Sequence, residues 1–155
     1  MIPNLGQALE SWVQPWFKPL AYALILLRLQ GYPCVFYGDY YGITHDNINP
    51  ISTTLDIFLY VRRHLCYGTQ TDYFDDPNII GWTLSGDEEH PNSGYAVILS
   101  DNSGGSKQMN VGKNLANCIL YDITSNMKET VYVDNDGNGI FYTKGGNVSV
   151  WVKKV

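Results

Sequence analysis

The sequence predicts an α+β chain in which two helices and one strand precede an antiparallel β-sandwich. Up to residue 66, apolar residues recur at intervals of three and four, and one short apolar run separates two such segments. From residue 67 onward, short β-prone runs alternate with Gly, Asn and Asp at spacings of about 8–12 residues, which is typical of sandwiches. The change of pattern predicts two domains, 1–66 and 67–155.

The first domain is predicted to consist of a helix, a strand and a second helix. Helical spacing extends over residues 9–29, where two prolines interrupt it, and returns over residues 55–66. The run 34–37 between them is short, rich in β-branched and aromatic residues, and ends at a Gly-Asp turn, so it predicts a buried strand. This order is one unit of an α/β layer, in which a strand needs parallel neighbours on both edges. The remaining sequence offers no second strand of this kind.

The second domain is predicted to contain eight strands. Residues 148–153 show the pattern well, because apolar and polar side chains alternate as in a strand with one buried face. A sandwich of roughly 85–90 residues is large enough to fold by itself. The predicted strands are 71–74, 79–84, 95–100, 107–111, 117–122, 130–133, 139–143 and 148–152.

Composition excludes several classes of partner. The chain of 155 residues has a formal net charge of −5, and its ten Lys and Arg residues are scattered, which argues against nucleic-acid binding. The apolar stretch 21–27 is far shorter than the ~20 residues that cross a membrane. No basic region or small-residue cleavage site follows Met1, so no secretory signal is predicted and the chain as it stands is expected in the cytoplasm.

Four stretches resemble one enzyme family. ALESWVQPWFKPLAYA at 8–23 and YPCVFYGDYYG at 32–42 are similar to bacterial liquefying-type α-amylases of glycoside hydrolase family thirteen. IIGWT at 79–83 and GGNVSVWV at 145–152 resemble the C-terminal domain of the same group. The resemblance extends over nearly the whole chain, apart from residues 1–5 and 44–54.

The resemblance implies a fold and an activity. These enzymes have a (β/α)8 TIM barrel followed by a Greek-key β-sandwich, so 31–42 corresponds to the eighth barrel strand and its exit loop and 55–66 to the eighth helix. The family hydrolyses 1,4-α-glucosidic bonds in starch and glycogen with an Asp, Glu, Asp set that follows earlier strands. All three would lie upstream of Met1, so the chain is expected to hold no catalytic residue and to be inactive alone.

Two residues of the predicted eighth strand are candidates for substrate binding. Asp39 stands at the carboxyl end of the strand, where barrel enzymes place functional groups, and Tyr37 lies beside it. The α-glucan substrates of the family (starch, glycogen and maltodextrin) are the implied partner.

Calcium is the cofactor that the resemblance implies. Some relatives bind it between barrel and sandwich, with ligands matching the Pro77 carbonyl, Asn78, where an Asp is common, and Asp101. The stretch 134–139 also opens like an EF-hand loop, but Gly145 stands where the bidentate Glu is required. A glycine-rich hairpin connection is therefore predicted at that loop.

Alternative functions follow from other features. A non-catalytic glucan-binding module would stack exposed rings on glucose, and a complementing fragment would complete a barrel from another chain. If the chain is instead a truncated α-amylase, residues 21–29 and 34–37, which are buried in the full-length enzymes, would be exposed and would promote self-association. The candidate stacking residues are Trp82, Tyr95, Tyr121, Tyr132, Tyr142 and Trp151.

Overall fold

Three helices form the N-terminal part of the structure. The computed structural model describes residues 13–155, so the start of the predicted helical segment 9–29 lies outside the described residues. A 3₁₀ turn at Pro15–Phe17 leads into helix α1, Lys18–Leu26. Pro19 lies in the first turn of α1, where its missing N–H removes no helical hydrogen bond. Helix α2 spans Tyr37–Tyr41 and helix α3 spans Ser52–Leu65.

Helix α3 confirms the second predicted helix. Its buried residues Leu55, Phe58 and Val61 are three apart and form one apolar face. Arg62 and Arg63 lie in its last turn, where positive charge is favourable beside the exposed carbonyls of the helix end. The apolar face packs on the same core as α1.

The predicted strand over residues 34–37 is wrong. Phe36 is extended, with φ −72° and ψ 132°, but the stretch pairs with no strand within residues 13–155, and Tyr37 begins α2 instead. A strand is stable only where neighbours accept and donate its backbone hydrogen bonds. Here the Phe36 N–H donates to the Tyr22 hydroxyl at 3.2 Å.

The described residues contain eight strands, and all eight predicted strands are confirmed with small shifts at their ends. In chain order they are β1 Gln70–Tyr73, β2 Ile79–Leu84, β3 Tyr95–Ser100, β4 Gly105–Asn110, β5 Ile119–Asp122, β6 Thr130–Tyr132, β7 Asn138–Thr143 and β8 Val148–Lys153.

The strands form two antiparallel sheets that pack face to face. One sheet has the order β1-β2-β3-β8-β5-β6, and the other pairs β4 with β7. Strand β8 lies between β3 and β5, which are far from it in sequence, as expected for a Greek-key arrangement. Ile98 and Trp151 from the large sheet meet Met109 and Phe141 from the small sheet in a shared core.

The opposite face of the large sheet is covered by the helices. Leu26 of α1 and Phe58 of α3 join Trp82, Val97 and Val150 in a second core. Because both faces of the sheet are covered, every residue of β3 is buried, and its residues 95–99 form a continuous apolar run. The structure therefore has three layers, with the large sheet in the middle.

The helices of the part of the chain that the structure describes are all too short or too polar to traverse a lipid bilayer.

Candidate functional site

An open apolar groove of about 980 Å³ lies between α1 and the segment 34–48. Val13 and Ile25 contribute to one wall, and Val35, Phe36 and Tyr37 contribute to the other. Ile25, Phe36 and Tyr37 are all exposed, at 43%, 54% and 67%. Such a concentration of exposed apolar side chains is typical of a surface that another structural element covers.

Asp39 lies in the wall of this groove and is only 7% exposed. Lys18 Nζ donates to its Oδ1 at 2.6 Å, and the Tyr22 hydroxyl donates to its Oδ2 at 2.5 Å. The Ile51 N–H donates to the Asp39 carbonyl at 2.7 Å. Asp39 therefore connects α1, α2 and the residue before α3, and both of its carboxylate oxygens are engaged.

The Tyr22 hydroxyl remains protonated at neutral pH. Burial, and then the hydrogen bond to Asp39, raise the pKa of Tyr22 to about 12. Its proton is held between the Asp39 carboxylate and the phenolic oxygen, and that oxygen also accepts the Phe36 N–H. In this chain the cluster acts as a structural connection between elements.

The structure brings together both predicted substrate-binding candidates, because Asp39 and Tyr37 line the same groove. The ring of Tyr37 packs on Tyr41, with 4.8 Å between ring centroids. Sequence reasoning missed Lys18 and Tyr22. Their spacing of four residues places them on one face of α1, but no sequence signal joins that face to Asp39.

The sandwich aromatics divide into two groups. Trp82, Tyr95 and Trp151 are fully buried, so the prediction that they stack on sugar rings at the surface is wrong. They lie on strands of the large sheet, which has cores on both faces. The three exposed candidates are Tyr121, Tyr132 and Tyr142.

The proposed calcium ligands are only partly assembled. The Asp101 N–H donates to the Asn78 carbonyl at 3.3 Å, so these two residues are neighbours beside the β2–β3 pair. With Pro77 they supply a single carboxylate, whereas Ca²⁺ takes 6–8 oxygen ligands. Within residues 13–155 no group of three or more His, Cys, Asp and Glu side chains is placed to hold a metal. These residues alone do not fit a calcium site.

The hairpin predicted at the glycine-rich stretch 134–139 is wrong. This stretch joins β6 of the large sheet to β7 of the small sheet, so its flanking strands are not paired with each other. Asp134 Oδ1 accepts the N–H groups of Asp136 at 2.8 Å and Asn138 at 2.9 Å. These bonds, with that of Asn138 foremost, hold the pKa of Asp134 below its usual range. The Asp134 carboxylate therefore binds backbone groups of its own loop.

The segment that follows α1 is attached to the large sheet by polar contacts. Arg28 makes a bidentate pair with Asp72 at 2.8 and 2.9 Å, and its guanidinium lies 5.0 Å from the Phe74 ring centroid. Arg62 of α3 donates to the Leu26 carbonyl at 2.7 Å. The bond to Arg28 lowers the pKa of Asp72. The helices and the large sheet thus share polar contacts as well as a core.

Comparison with known proteins gives the chain its family. The family described as "Alpha-amylase C-terminal" matches residues 95–152. An "Alpha-amylase" of Geobacillus stearothermophilus is 56% identical over 149 residues, covering 96% of this chain and 27% of the relative. A "Glucan 1,4-alpha-maltohexaosidase" of Bacillus sp. (strain 707) is 54% identical over 96% of this chain and 29% of its own length. A "Cytoplasmic alpha-amylase" of Escherichia coli (strain K12) is 42% identical over 94% and 31%.

Solved structures show the same fold. A cyclomaltodextrin glucanotransferase, CldA, aligns with TM-score 0.61 and 19% identity over 88% of this chain and 32% of its own. The α-amylase of Geobacillus thermoleovorans, complexed with acarbose, aligns with TM-score 0.56 and 13% identity over 96% and 35%. The chain spans about three-tenths of the length of the curated relatives that it matches. Residues 95–152 therefore belong to the α-amylase C-terminal family, and the chain as a whole is similar to the C-terminal part of α-amylases.

Proposed function

We propose that this chain serves the hydrolysis of 1,4-α-glucosidic bonds in starch-type glucans as the C-terminal part of an α-amylase, and that it hydrolyses nothing alone. The catalytic Asp, Glu and Asp of the family are provided by an upstream part of the protein. The substrate class rests on the names of relatives such as the alpha-amylase of Geobacillus stearothermophilus.

The observation that carries this proposal is the groove beside the segment 32–36, which ends at the extended residue Phe36. Within residues 13–155 this segment has no strand partner, although apolar side chains flank it on the groove side. A parallel barrel strand has neighbours at both edges and helices outside, and α1 and α3 already provide that outer layer. The segment is thus suited to become a barrel strand when upstream strands occupy the groove.

Several finer points belong to the same proposal. Residues 1–66 complete the barrel and 67–155 form the C-terminal domain, although both parts share one core here. Tyr37 and Asp39 support the barrel at its substrate end. Calcium at Pro77, Asn78 and Asp101 requires further oxygen ligands from the upstream part. In the absence of that part, we expect the exposed groove to promote self-association.

Mixing this chain with the upstream part of a relative tests the proposal. The purified chain is combined with the segment of the Geobacillus stearothermophilus α-amylase that precedes the matched residues, and reducing ends released from soluble starch are measured. We expect no release from either part alone and measurable release from the mixture. Light scattering should show that the upstream part reduces self-association of the chain.

Matched isoleucines provide the control. Ile25→Glu places a charge in the groove, whereas Ile140→Glu places one on β7, and both side chains are similarly exposed at 43% and 49%. We expect Ile25→Glu to abolish recovery of hydrolysis and Ile140→Glu to leave it intact. Hydrolysis by the chain alone that Asp39→Asn abolishes would show that the chemistry resides in these residues and would overturn the proposal.

A further inference from the structure

The chain between α1 and α2 is open to solvent. We call residues 31–37 the open segment. Tyr32 is 95% exposed, Phe36 54% and Tyr37 67%, and no residue of the segment is buried. A large aromatic side chain in water is the kind of group that a protein cleft can select, because its burial is favourable.

Few hydrogen bonds fix the backbone of the open segment. Residues 32–36 have no regular secondary structure, and among residues 13–155 no strand pairs with them. The Phe36 N–H donates to the Tyr22 hydroxyl at 3.2 Å, and the Phe36 carbonyl accepts the Asp39 N–H at 3.1 Å. Backbone that is held by few buried contacts opens locally at a small cost in free energy.

Helix α2, which follows, adds little resistance to such opening. It has five residues, little more than one helical turn, and helices of this length are marginal in water. The rings of Tyr37 and Tyr41 contact each other on its surface, and both remain exposed. Phe36 is already extended, so opening the first turn of α2 is sufficient to extend the chain on both sides of the Phe36–Tyr37 bond.

An extended chain with an exposed aromatic side chain is a substrate for an endopeptidase of chymotrypsin-like selectivity. Such an enzyme binds the substrate backbone as an added strand and takes the aromatic side chain into an apolar pocket. Hydrolysis adds one water across the amide, so that Phe36 keeps the new carboxylate and Tyr37 the new amino group. The bond after Tyr32 is a poor alternative, because Pro33 has no N–H and a fixed φ.

The exposed aromatic residues of the sandwich do not offer the same access. Tyr121 and Tyr132 lie on the paired strands β5 and β6, and Tyr142 lies on β7, which pairs with β4. Their backbone is already bonded to a neighbouring strand, so a protease would first have to separate the two strands. Phe74 is 51% exposed, but the Arg28 guanidinium lies 5.0 Å from its ring centroid.

We propose that the open segment is a processing site, where an endopeptidase that selects aromatic side chains cleaves the chain after Phe36 or Tyr37 while no other element covers the groove. The upstream part of the protein covers the segment and blocks this cleavage, so that unassembled chains are removed and assembled chains persist. Cleavage of the uncovered chain rests on the segment itself, whereas its protection by the upstream part rests on the proposed function.

The two pieces of the cleaved chain should stay together. Leu26 of α1 is buried in the core that α1 shares with α3 and the large sheet, and Arg28 makes its bidentate pair with Asp72 of β1. Both contacts join the piece before the cut to the piece after it. The cleaved chain should therefore elute from a size-exclusion column like the uncut chain and should separate only in denaturant.

Limited digestion of the 155-residue chain with chymotrypsin, followed by mass analysis of the products, tests the proposal. Within residues 13–155 we expect the first cut after Phe36 or Tyr37. The double variant Phe36→Ser, Tyr37→Ser should be cut in this range at least about tenfold more slowly, because the aromatic side chains that the pocket selects are gone.

A matched variant removes two exposed aromatic side chains from paired strands instead. Tyr132→Ser, Tyr142→Ser should be cut after Phe36 or Tyr37 at the rate of the unchanged chain. Far-UV circular dichroism and thermal unfolding verify that both double variants are folded. A first cut elsewhere in residues 13–155, or an unchanged rate in Phe36→Ser, Tyr37→Ser, would overturn the proposal.

The same digestion in the presence of the upstream part of the Geobacillus stearothermophilus α-amylase tests the protection. We expect the mixture that recovers starch hydrolysis to show at least about tenfold slower cleavage of the open segment. Recovery of hydrolysis with undiminished cleavage would refute the protection. If the mixture neither recovers hydrolysis nor slows cleavage, while the chain alone is cut after Phe36 or Tyr37, the proposed function is contradicted and the processing site stands.

Discussion

The indole Nε1–H of Trp82 donates a 2.6 Å hydrogen bond to the backbone carbonyl of Leu27, 55 residues earlier in the chain. The same carbonyl accepts the Tyr95 hydroxyl at 3.0 Å. Leu27 directly follows α1, so its carbonyl has no helical partner and would otherwise be a buried unpaired acceptor. The two aromatic donors of the sheet thus satisfy the end of the helix and join the two layers.

Replacing Trp82 by phenylalanine should destabilise the whole chain. The variant loses one hydrogen bond and part of a fully buried side chain, for an expected decrease of about 2–3 kcal/mol in the free energy of unfolding. Urea unfolding followed by far-UV circular dichroism measures it. Trp16→Phe, at an exposed ring, should change the free energy by less than ~0.5 kcal/mol. Similar losses for both variants would contradict this role of Trp82.

The pair of Arg28 and Asp72 should make stability depend on acid pH. Because Arg28 lowers the pKa of Asp72, the carboxylate stabilises the fold above its ordinary pKa of 3.8, and this contribution disappears as the pH falls through the lowered value. Asp72→Asn should therefore reduce the melting temperature at pH 7, and the difference should vanish once the pH lies well below the lowered pKa of Asp72.

The size of that effect is limited by solvent. The Asp72 side chain is 40% exposed, so we expect no more than about 1 kcal/mol at pH 7, and less in high salt. Glu89→Gln, at an exposed loop residue, should give the same melting temperature as the unchanged chain at each pH. A difference between Asp72→Asn and the unchanged chain that persists undiminished at low pH would refute the assignment.

Asp122 should be among the most sensitive polar residues of the sandwich. This buried carboxylate accepts the Thr124 N–H at 3.0 Å, the Met127 N–H at 2.9 Å and the Val150 N–H at 3.0 Å. Asp122→Ala leaves these donors without their acceptor, for an expected loss of roughly 2–4 kcal/mol in chemical unfolding. Asp136→Ala, which removes an exposed carboxylate paired with Lys113, should cost under ~0.5 kcal/mol.

Ser149→Ala should stabilise the chain. The Ser149 hydroxyl is fully buried and has no hydrogen-bond partner among the described residues. Folding therefore removes it from water without compensation, and its deletion should raise the free energy of unfolding by about 0.5–1 kcal/mol. Ser100→Ala is the comparison. The Ser100 hydroxyl donates to the Ser103 carbonyl at 2.6 Å, so its removal should lower the free energy of unfolding. A loss of stability in Ser149→Ala would reveal a partner for the hydroxyl.

The strands could be predicted because their pattern is local. In β8, alternation along six residues was sufficient to locate the strand, and β2 and β3 carried enough apolar and β-branched residues to do the same. The segment 34–37 has an equally suitable composition, yet it does not form a strand in this structure. Amino-acid composition shows whether the side chains of a segment suit a strand. Hydrogen bonds from neighbouring strands decide whether the strand forms.

The candidate site was predictable only in part. Asp39 and Tyr37 were found because of their place beside an apolar run, and both line the groove. The partners of Asp39, which are Lys18 and Tyr22, are 21 and 17 residues away, and nothing in the local sequence joins them. Such a cluster arises when α1 packs across α2, so it is a property of the tertiary structure.

The sequence by itself determined the resemblance to α-amylases, the helix α3, the strands of the sandwich half and the acidic net charge. Only the tertiary structure decided that Trp82 and Trp151 point into cores while Tyr121 and Tyr132 face solvent. Alternation assigns side chains to the two faces of a strand, but it does not say which face another layer covers. That is set by where α1, α3 and the small sheet pack, and by where their cover ends at β5.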